Sequence, residues 1–550
     1  MRSRTVGIDL GTTYSCIAYV DDDGFPKVSP DCDDCVNTPS FIILEDEGDI
    51  IVGSVAKESC VLYSSSNIVN AIKRQIGSDY TLSIQGRTYN PSQLSALILD
   101  KVLNDFQERN GFRPESAVIT CPAYFGNEER RATKQAGEIA GLKEITLLNE
   151  PTAAAICFGF GQDEDCHKRI LVYDLGGGTF DITILQIDGK EFTALVTDGS
   201  RYLGGNDWDA ALIELILQKI SDASGVSVER LRKVDELMRQ LVIDSESAKI
   251  KLTTRDEVNM TIIHRARKYR YTITRQEFDN CTSALLHTTL DIMDRAMESK
   301  GMTPEDIDEI VLVGGSTLMP QIVLSIKNKY PDNRVCIYDP HESIAKGAAI
   351  YAMSLNNKPV QPIVPIPVET EEEECITEDV PIEECVSDIP AMVDDTPRMT
   401  SVPETRADNG LVIRNVLSKT FGVLVRKDGS SVISNIIFRN EVLPIQATRQ
   451  YNLEDDYQKE LVIEIYEDFA IDDANGYAIP QIDGVPVGSF TMQLPIEANR
   501  ETVVDVTFTA DSEGILTATA ECLGQRKDYT IDSDIIMSPE EIESSRMDLT

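Results

Sequence analysis

An α/β N-terminal part followed by a small all-β sandwich is the fold class that the sequence predicts. In residues 1–357, short apolar runs of strand length alternate with stretches whose apolar residues recur at helical spacing, which is typical of α/β folds. In residues 409–535, runs with period-two character alternate with Asp-Gly and Glu-Gly turn signals, which is typical of a β-sandwich. The chain has 550 residues, 42% hydrophobic and 26% charged, which is enough for several folded domains.

The N-terminal part has strands that end at Gly, Pro or Asp, with helices between them. One helix is predicted after Asn206, which can cap it, because apolar residues between Ala211 and Ile220 fall at helical spacing. A second helix is predicted from the apolar stripe between Leu231 and Val242. The predicted strands are Thr5–Leu10, Ala117–Cys121, Arg169–Asp174 and Glu309–Val313.

The C-terminal part is predicted to contain short strands and the start of a final helix. Ser538-Pro539-Glu540-Glu541 has the form of a capping box with Pro at the first helical position. We therefore expect a helix to begin within residues 536–550. The predicted strands are Leu461–Tyr466, Ser489–Pro495, Thr502–Thr509, Ile515–Ala520 and Asp528–Ile531.

An acidic, proline-rich segment separates the two parts. Between Gln361 and Asp408 the chain carries 14 acidic residues and two arginines, and eight of its 24 prolines fall between Pro359 and Pro403. Such a composition cannot bury enough apolar surface to offset the entropy that ordering would cost. We expect residues 358–408 to form an extended, self-repelling linker.

The net charge and the cysteines restrict the class of protein. With 51 Lys and Arg against 92 Asp and Glu, the chain carries −41, which repels nucleic-acid phosphates and anionic lipid. No apolar run is long enough to span a bilayer, and the N-terminus lacks the apolar stretch of a signal peptide. We expect a cytoplasmic protein with free thiols that binds neither nucleic acid nor a membrane. Cys32 and Cys35 have a metal-like spacing, but an exposed acidic loop is preferred over a zinc site.

Two segments that lie 165 residues apart share one plan. In residues 6–14 and 171–181, an apolar strand ends in Asp9 or Asp174, a Gly turn with Thr follows, and a second strand begins. Gly allows backbone N–H groups to approach an anion, and the Asp can hold a hydrated magnesium ion. A flexible turn would explain one such run, but the repeat favours two hairpins that clamp a polyphosphate between two lobes.

Other segments leave two interpretations open. Gly204-Gly205 and Gly314-Gly315 are each either a tight turn or a helix N-terminus that receives a phosphate or ribose. Glu246, Lys249 and Thr253 share one helix face, and from their spacing alone a solvated ion pair is the better interpretation. The sequence contains neither a P-loop motif nor a Gly-x-Gly-x-x-Gly that opens a helix, so neither of those nucleotide-binding classes is predicted.

These motifs together resemble the nucleotide-binding domain of the seventy-kilodalton heat-shock chaperones, the DnaK-like proteins. The C-terminal part resembles the family's peptide-binding domain, most clearly at Asp511–Leu516. The resemblance covers about residues 1–357 and 409–545. The matching motifs of the N-terminal part are Ile8–Cys16, Ala71–Arg74, Pro122–Phe125, Asn149–Ala155, Asp174–Asp181 and Val313–Thr317.

The resemblance implies an actin-like ATPase domain with two lobes around a nucleotide cleft, and it implies a role for each matching residue. The residues that would bind ATP or ADP are Gly11, Thr12, Thr13, Tyr14, Gly177, Gly178, Gly204, Gly205, Glu246, Lys249, Thr253, Gly315, Ser316 and Leu318. Asp9 and Asp174 would place Mg²⁺ and K⁺. The residues around the γ-phosphate and the attacking water would be Lys73, Glu150, Asp181 and Thr179. Pro122 and Arg130 match positions that relay nucleotide state between domains.

Several positions depart from the family's pattern near its binding sites. Leu318 stands where the family has an Arg that stacks on adenine, and an apolar side chain can still cover a base. The family's Asn-Pro-Asp-Glu near the adenosine appears as Asp339-Pro340-His341-Glu342. Thr146 stands where a basic residue meets J-domain partners in the family. The candidate groove residues of the sandwich, which could equally be its core, are Leu443, Leu453 and Leu461.

The linker and the lid depart furthest from the family. In the family, a short apolar run ending in Asp docks on the nucleotide-binding domain when ATP is bound. The nearest such stretch here is Val360–Val368, which three prolines interrupt, so we expect weaker coupling between the domains. The helical lid is missing beyond its first turns, so bound peptide is expected to exchange faster.

Two functions are therefore predicted. The first is an ATP-dependent chaperone whose slow ATPase regulates binding of unfolded or extended apolar peptides, with a J-domain co-chaperone and a nucleotide-exchange factor as partners. The alternative is a nucleotide-binding scaffold or regulatory protein, derived from that family, with weak or no coupling between its domains. A sugar kinase or a filament-forming actin relative would share the clamp but would lack the sandwich.

Overall fold

The structure is a computed structural model of the chain. The residues that it describes are 5–45, 49–84, 86–159, 166–264, 267–330, 334–355, 391–392, 398–401, 411–427, 429–453, 455–456, 458–468, 477–478, 484–530 and 536–547. The predicted linker lies outside these residues except for 391–392 and 398–401. The ten cysteines within them are free. Of the helices they form, none combines the length and the hydropathy that crossing a bilayer requires.

Residues 5–159 form most of a first lobe. Its strands are β1 (Thr5–Asp9), β2 (Tyr14–Val20), β3 (Pro26–Val28), β4 (Thr38–Pro39), β5 (Phe41–Leu44), β6 (Ile50–Val52), β7 (Ile68–Asn70), β8 (Leu82–Ile84), β9 (Arg87–Tyr89), β10 (Ser116–Cys121) and β11 (Glu144–Asn149). Its helices are α1 (Ser54–Ser59), α2 (Pro91–Asn110), α3 (Asn127–Ile139) and α4 (Glu150–Gly159). The main sheet has the order β11-β10-β1-β2-β3, with β4 on β2.

Residues 166–355 form the second lobe and the helix that returns to the first. Its strands are β12 (His167–Leu175), β13 (Phe180–Asp188), β14 (Glu191–Ser200), β15 (Glu257–His264), β16 (Arg267–Thr274), β17 (Glu309–Val313) and β18 (Val335–Ile337). Its helices are α5 (Gly205–Ser224), α6 (Val228–Leu231), α7 (Asp235–Leu252), α8 (Arg275–Glu298), α9 (Pro320–Lys329) and α10 (Ser343–Leu355). The order β18-β17-β12-β13-β14 repeats that of the first lobe.

The two lobes therefore contain the same hairpin at the same place. Strand β1 is antiparallel to β2 and parallel to β10, and β12 is antiparallel to β13 and parallel to β17. Helix α10 follows the second lobe in the chain and packs on β1 and α4 of the first lobe, with a glycine at two of the close contacts. A Cβ on Gly7 would lie 2.2 Å from the Ala349 nitrogen, and one on Gly347 would lie 1.8 Å from the Ala153 oxygen. Only glycine allows so close an approach.

Residues 391–530 form the sandwich, and a helix follows. Its strands are β19 (Ala391–Met392), β20 (Arg398–Ser401), β21 (Val412–Arg414), β22 (Thr420–Lys427), β23 (Ser430–Ile437), β24 (Ile445–Asn452), β25 (Glu460–Asp468), β26 (Tyr477–Ala478), β27 (Val485–Gln493), β28 (Val503–Ala510), β29 (Leu516–Cys522) and β30 (Gln525–Thr530). Except for β21, they pair in the order β26-β23-β22-β19-β24-β28-β29-β30, with β20 on β24 and β25 between β22 and β27. The candidate groove residues Leu443, Leu453 and Leu461 are buried in the sandwich core.

The final helix, α11 (Pro539–Met547), begins where the capping box predicts. The Glu541 amide donates to the Ser538 hydroxyl, and the Ser538 amide donates to the Glu541 carboxylate at 2.7 Å. The helix lies against the first lobe rather than the sandwich. Gln93 donates to the Ser545 hydroxyl, and Arg546 donates to the Glu138 carbonyl at 2.7 Å.

Two helix predictions for the second lobe were wrong in detail. Asn206 does not cap α5, because its amide donates to the Gly177 carbonyl at 2.7 Å. The cap is Gly204, whose amide donates to the Asp207 carboxylate at 2.8 Å. The apolar stripe from Leu231 to Val242 is divided between α6 and α7, because Val234 has an extended backbone between them.

The docking segment of the linker also differs from the expectation. The expected segment, Val360–Val368, lies outside the described residues. The structure instead places β21, which follows the acidic run, parallel to the edge strand β14, with Val412 opposite Glu191. Strands β19 and β20, within the predicted linker, pair with β24 of the sandwich. The sandwich sheet thus begins upstream of residue 409, and strand β21, which contains no proline, pairs with the second lobe.

Candidate nucleotide site

A cavity of about 370 Å³ lies between the two lobes. The predicted site residues that line it are Asp9, Gly11, Thr12, Thr13, Tyr14, Lys73, Glu150, Asp174, Gly177, Thr179, Glu246, Lys249, Thr253, Gly315, Ser316 and Leu318. Four other residues predicted for the cleft, Gly178, Asp181, Gly204 and Gly205, do not line the cavity. Gly178 belongs to a loop that lines it, and Gly204 and Gly205 pack against that loop. The structure therefore brings residues from six separate segments of the sequence to one cleft.

The two predicted hairpins face each other across the cleft, and their turns are in contact. Gly11–Tyr14 joins β1 to β2, and Gly176–Thr179 joins β12 to β13. We name them the first and second phosphate loops after their predicted role. A Cβ on Gly177 would lie 1.7 Å from the Thr13 hydroxyl oxygen, and one on Gly178 would lie 2.3 Å from the Thr12 methyl carbon. Glycine at these two positions is therefore required for the loops to meet.

The second phosphate loop is held by two further turns. Its Gly176 carbonyl accepts from the Gly205 amide and from the Ser316 hydroxyl, both at 2.9 Å. A Cβ on Gly204 would lie 2.6 Å from the Gly178 backbone. Both Gly-Gly turns thus serve as close supports for this loop, and the N-terminus of α5 begins directly beside it.

Four carboxylates and one lysine form one end of the cleft, which we name the phosphate end after its predicted role. Lys73 contacts Glu150, and both side chains are buried. Burial, followed by repulsion from Glu150, raises the pKa of Asp9 to about 7. The same two causes raise the pKa of Asp174 and of Asp181 well above the usual range for Asp. Burial alone would lower the pKa of Lys73, but the negative charges of Glu150 and Asp9 raise it.

This charge balance fits a bound cation. One lysine cannot neutralise four close carboxylates. All four can be ionised together only when a further positive charge binds beside them. In the described part of the chain, the Thr13 hydroxyl and one Asp181 oxygen are buried without a hydrogen-bond partner. No group of three or more His, Cys, Asp and Glu residues forms a protein-only metal site there. A magnesium ion, which keeps most of its waters, suits such a sparse set of ligands.

The cleft is bridged by side chains near Glu246 and Lys249, at what we name the nucleoside end after the predicted role of these two residues. Lys57 on α1 lies 2.5 Å from Glu246 on α7 and donates to the Tyr14 hydroxyl at 2.8 Å. The Tyr14 hydroxyl also donates to Glu246 at 3.1 Å. Burial, followed by the charge of Glu246, raises the pKa of Tyr14, so its hydroxyl stays protonated as a donor. These three side chains connect the first lobe to the second.

Sequence reasoning missed some of the residues that line the cavity. Asn37, Ile250 and Ile344 line the cavity, as do Pro340 and His341 of the departing motif. Ile250 is 54% exposed on α7 and lies beside Lys249. An exposed isoleucine on a helix face that already carries three candidate ligands was a signal that could have identified it. Asn37 and Ile344 gave no such signal, because each looks like an ordinary loop or core residue.

The predicted relay residues lie between the cleft and the sandwich. Arg130 is 3% exposed, and its guanidinium donates to the Asn149 side chain and to the Glu513 carbonyl, both at 2.9 Å. It also donates to the Ala123 carbonyl, and the Ala123 amide donates to Asp181 at 2.9 Å. Pro122 is buried at the end of β10, directly before Ala123.

Further polar contacts fix the sandwich to both lobes. Arg439 lies 3.0 Å from Asp198 of β14, and both side chains are almost fully buried. Ser418 donates to the Phe125 carbonyl at 2.8 Å, and the Leu516 amide donates to Asn127 at 3.0 Å. The sandwich is therefore docked on the N-terminal part.

The Cys32–Cys35 loop stands apart from the cleft. Asp31 closes it by accepting from the Asp33 and Cys35 amides at 3.0 and 2.9 Å. Cys32 donates to the Glu108 carboxylate at 2.9 Å, and this contact raises the pKa of its thiol to about 12. Both cysteines are exposed, in agreement with the acidic-loop interpretation.

Similarities to known proteins cover nearly the whole chain. The sequence model of the family described as Hsp70 protein matches residues 5–85 and 80–370. The chaperone protein DnaK of Thermosipho melanesiensis is 32% identical over 540 residues, which is 96% of this chain and 80% of that protein. DnaK of Thermotoga maritima is 33% identical over 540 residues, which is 96% of this chain and 79% of that protein.

Proposed function

The chain belongs to the Hsp70 family, and we propose that the cleft between its lobes binds and hydrolyses the ATP that drives it. Like the DnaK chaperones it resembles, it is an ATP-dependent chaperone and an ATPase with an actin-like domain and a β-sandwich. Our proposal concerns the residues that perform the hydrolysis and the contacts that carry nucleotide state to the sandwich.

The observation that carries the proposal is the contact between the two phosphate loops. Thr13 and Gly177 come from hairpins of different lobes, yet there is no space for a Cβ between them. Backbone N–H groups of both loops can therefore point at one polyphosphate. A nucleotide held there would be bound by both lobes at once, so its loss or hydrolysis would change how the lobes are held together.

Hydrolysis in this cleft would depend on positioning and charge. The bond from the γ-phosphorus to the bridging oxygen breaks as a water oxygen bonds to the phosphorus, and no protein nucleophile is needed. Lys73 would place its positive charge beside the γ-phosphate. Glu150 and Thr179 line the cavity and would orient the water, with the unpartnered oxygen of Asp181 behind them. Charge neutralisation of this kind supplies much of the catalysis of phosphoryl transfer.

We assign the metal ions to the ends of the two equivalent strands. Asp9 and Asp174 are the last carboxylates before the two phosphate loops, and both line the cavity. Bound magnesium would neutralise phosphate charge, and K⁺ would have the same carboxylates as ligands. The raised pKa values of both groups support this assignment, because a cation would keep them ionised at neutral pH.

Arg130 is the contact through which we propose that the sandwich responds. Its partners lead from Asp181, through Ala123, to Glu513 of the sandwich. A change in the position of the water-orienting carboxylates would therefore shift the buried guanidinium of Arg130, which also donates to the Glu513 carbonyl of the sandwich. The docked strand β21 and the Arg439–Asp198 ion pair favour this coupled chaperone over the uncoupled scaffold.

Peptide affinity of the full chain, measured with ATP and with ADP, tests the proposal. We expect the two affinities to differ by at least about tenfold, a usual size of coupling between sites. Val412→Pro removes the amide that donates to the Lys190 carbonyl at 3.0 Å and should make the two affinities nearly equal. Val412→Thr keeps that amide and is the matched control. Equal affinities in the unmodified chain would contradict the proposal.

The remaining assignments follow the family. We propose that the sandwich binds unfolded or extended apolar peptides and that a J-domain co-chaperone and a nucleotide-exchange factor act on the N-terminal part. Thr146, on β11, argues for a J-domain contact that differs from the basic one of the family. The free thiols support a cytoplasmic location.

A further inference from the structure

We propose that Asp209 is a positioning residue, which fixes Lys249 in the geometry that binds nucleotide, and that this pair makes nucleotide affinity fall in mildly acidic solution. The inference rests on the proposed function, because Lys249 acts there as a nucleotide ligand. Asp209 does not line the nucleotide cavity but a neighbouring one of about 290 Å³. Its contact with the nucleotide cavity that carries the inference is the one through Lys249.

The ammonium group of Lys249 is held by two acceptors of one helical turn. It donates to the Gly205 carbonyl at 2.9 Å and to the Asp209 carboxylate at 2.7 Å. An ammonium group has three donors. Two of them are used within the protein, and the third is left for the cavity that Lys249 lines. The position of this third donor is therefore set by the two bonds behind it.

Close packing leaves the ammonium group little freedom around this position. A Cβ on Gly205 would lie 2.9 Å from the Lys249 nitrogen and 2.5 Å from the Ser316 hydroxyl oxygen. Lys249 and Ser316 thus fill the space that a side chain at residue 205 would take. Only 9% of Lys249 is exposed, so a lysine released from Asp209 has no solvated position nearby that keeps the same donor in the cavity.

Asp209 depends equally on the lysine. It is 8% exposed, and in the described part of the chain its second carboxylate oxygen is buried without a hydrogen-bond partner. A buried carboxylate with one partner is stable as an anion only while that partner carries a charge. The pair is therefore a single unit, and loss of either charge releases the other side chain.

The titration of Asp209 supports the pH dependence. Burial raises its pKa to about 6, although the charge of Lys249 acts in the opposite direction. Of the other charged groups that face it, Glu246 on α7 raises this pKa and Lys57 on α1 lowers it. At neutral pH the carboxylate is ionised and holds the lysine. As the pH falls through about 6, the carboxylate takes up a proton and the ionic bond to Lys249 is lost.

Calorimetric titration of the full chain with Mg·ADP from pH 5.5 to 7.5 tests this inference. Asp209→Asn should weaken ADP binding about tenfold at pH 7.5, as loss of a charge-assisted hydrogen bond predicts. Asp105→Asn is the control, because Asp105 is also a buried carboxylate paired with a lysine, the partly exposed Lys101 on α2, outside the cleft. Protonation of ADP itself affects both proteins equally, so it does not change the ratio of the unmodified affinity to the Asp209→Asn affinity. This ratio should fall towards one at pH 5.5.

A double-mutant cycle with Lys249→Met separates positioning from a merely structural role. If Asp209 acts through Lys249, the double variant binds ADP as weakly as Lys249→Met alone, and Asp209→Glu recovers part of the affinity. Additive effects, or an unchanged affinity in Asp209→Asn, would overturn the inference. If variants fail to fold, a pH-independent affinity of the unmodified chain, after correction for ADP, would overturn it as well. No ADP binding at pH 7.5 would overturn the proposed function itself.

Discussion

The phosphate end and the nucleoside end of the cleft are built in different ways. At the phosphate end, backbone meets backbone, and the two loops approach so closely that Gly177 and Gly178 have no space for a Cβ. At the nucleoside end, long side chains such as Lys57, Glu246 and Lys249 reach across helices to make the contacts. The difference shows that the structure of one end depends on residues without a side chain. The structure of the other end depends on contacts between side chains that are distant in the sequence.

The comparison predicts that substitutions at the phosphate end lower the rate of ATP hydrolysis most. Lys73→Ala should lower kcat for ATP at least about 100-fold, as removal of one charge-stabilising group does in other enzymes, with a smaller change in KM. The measurement is steady-state phosphate release. Lys143→Ala removes an exposed lysine that pairs with Glu115 and should leave kcat unchanged. An unchanged kcat in Lys73→Ala would contradict the proposed role of the phosphate end in hydrolysis.

The next largest effect should come from the contact between the loops. Gly177→Ala should weaken Mg·ADP binding about 30-fold, because the new methyl group forces the Thr13 loop away. Gly176→Ala, in the same loop, also lines the cavity but would place its Cβ 3.7 Å from the nearest protein atom, so it should weaken binding less. Equilibrium binding of a fluorescent ADP would compare them. Equal losses in the two variants would mean that the loops do not need to touch.

A smaller effect is expected when the bridge across the nucleoside end is cut. Lys57→Ala should speed ADP dissociation about fivefold, because a partly buried ion pair of this kind contributes only modestly, and should leave kcat for hydrolysis nearly unchanged. Stopped-flow release of labelled ADP measures this rate. If Lys57→Ala lowered kcat and left the ADP dissociation rate unchanged, the division of roles between the two ends would be wrong.

The smallest effect should come from the apolar cover of the base. Leu318→Ala should weaken ADP binding about threefold, since a half-buried leucine loses only part of its contact area. The same variant should bind inorganic triphosphate as well as the unmodified chain does. Competition binding with both ligands checks the two statements together. A loss of triphosphate binding would place Leu318 at the phosphate end instead.

The predictability of each region follows the same division. The hairpins around Asp9 and Asp174 could be predicted because a strand, a terminal Asp and a Gly turn are local patterns, and the structure repeats their topology in both lobes. The docking strand at Val412 was not found, because three apolar residues after an acidic run give no local sign of their partner, β14. Asp209 gave no signal either, since its partner Lys249 is 40 residues away.

Hydrogen exchange of the full chain, with and without Mg·ATP, tests the central claim most directly. If both hairpins hold one triphosphate through their backbones, the amides of Gly11–Tyr14 and Gly176–Thr179 should become protected together. Gly177→Ala should reduce both protections together at the same nucleotide concentration. Protection of one loop without the other, or of neither, would contradict the claim that the two lobes close on the same nucleotide.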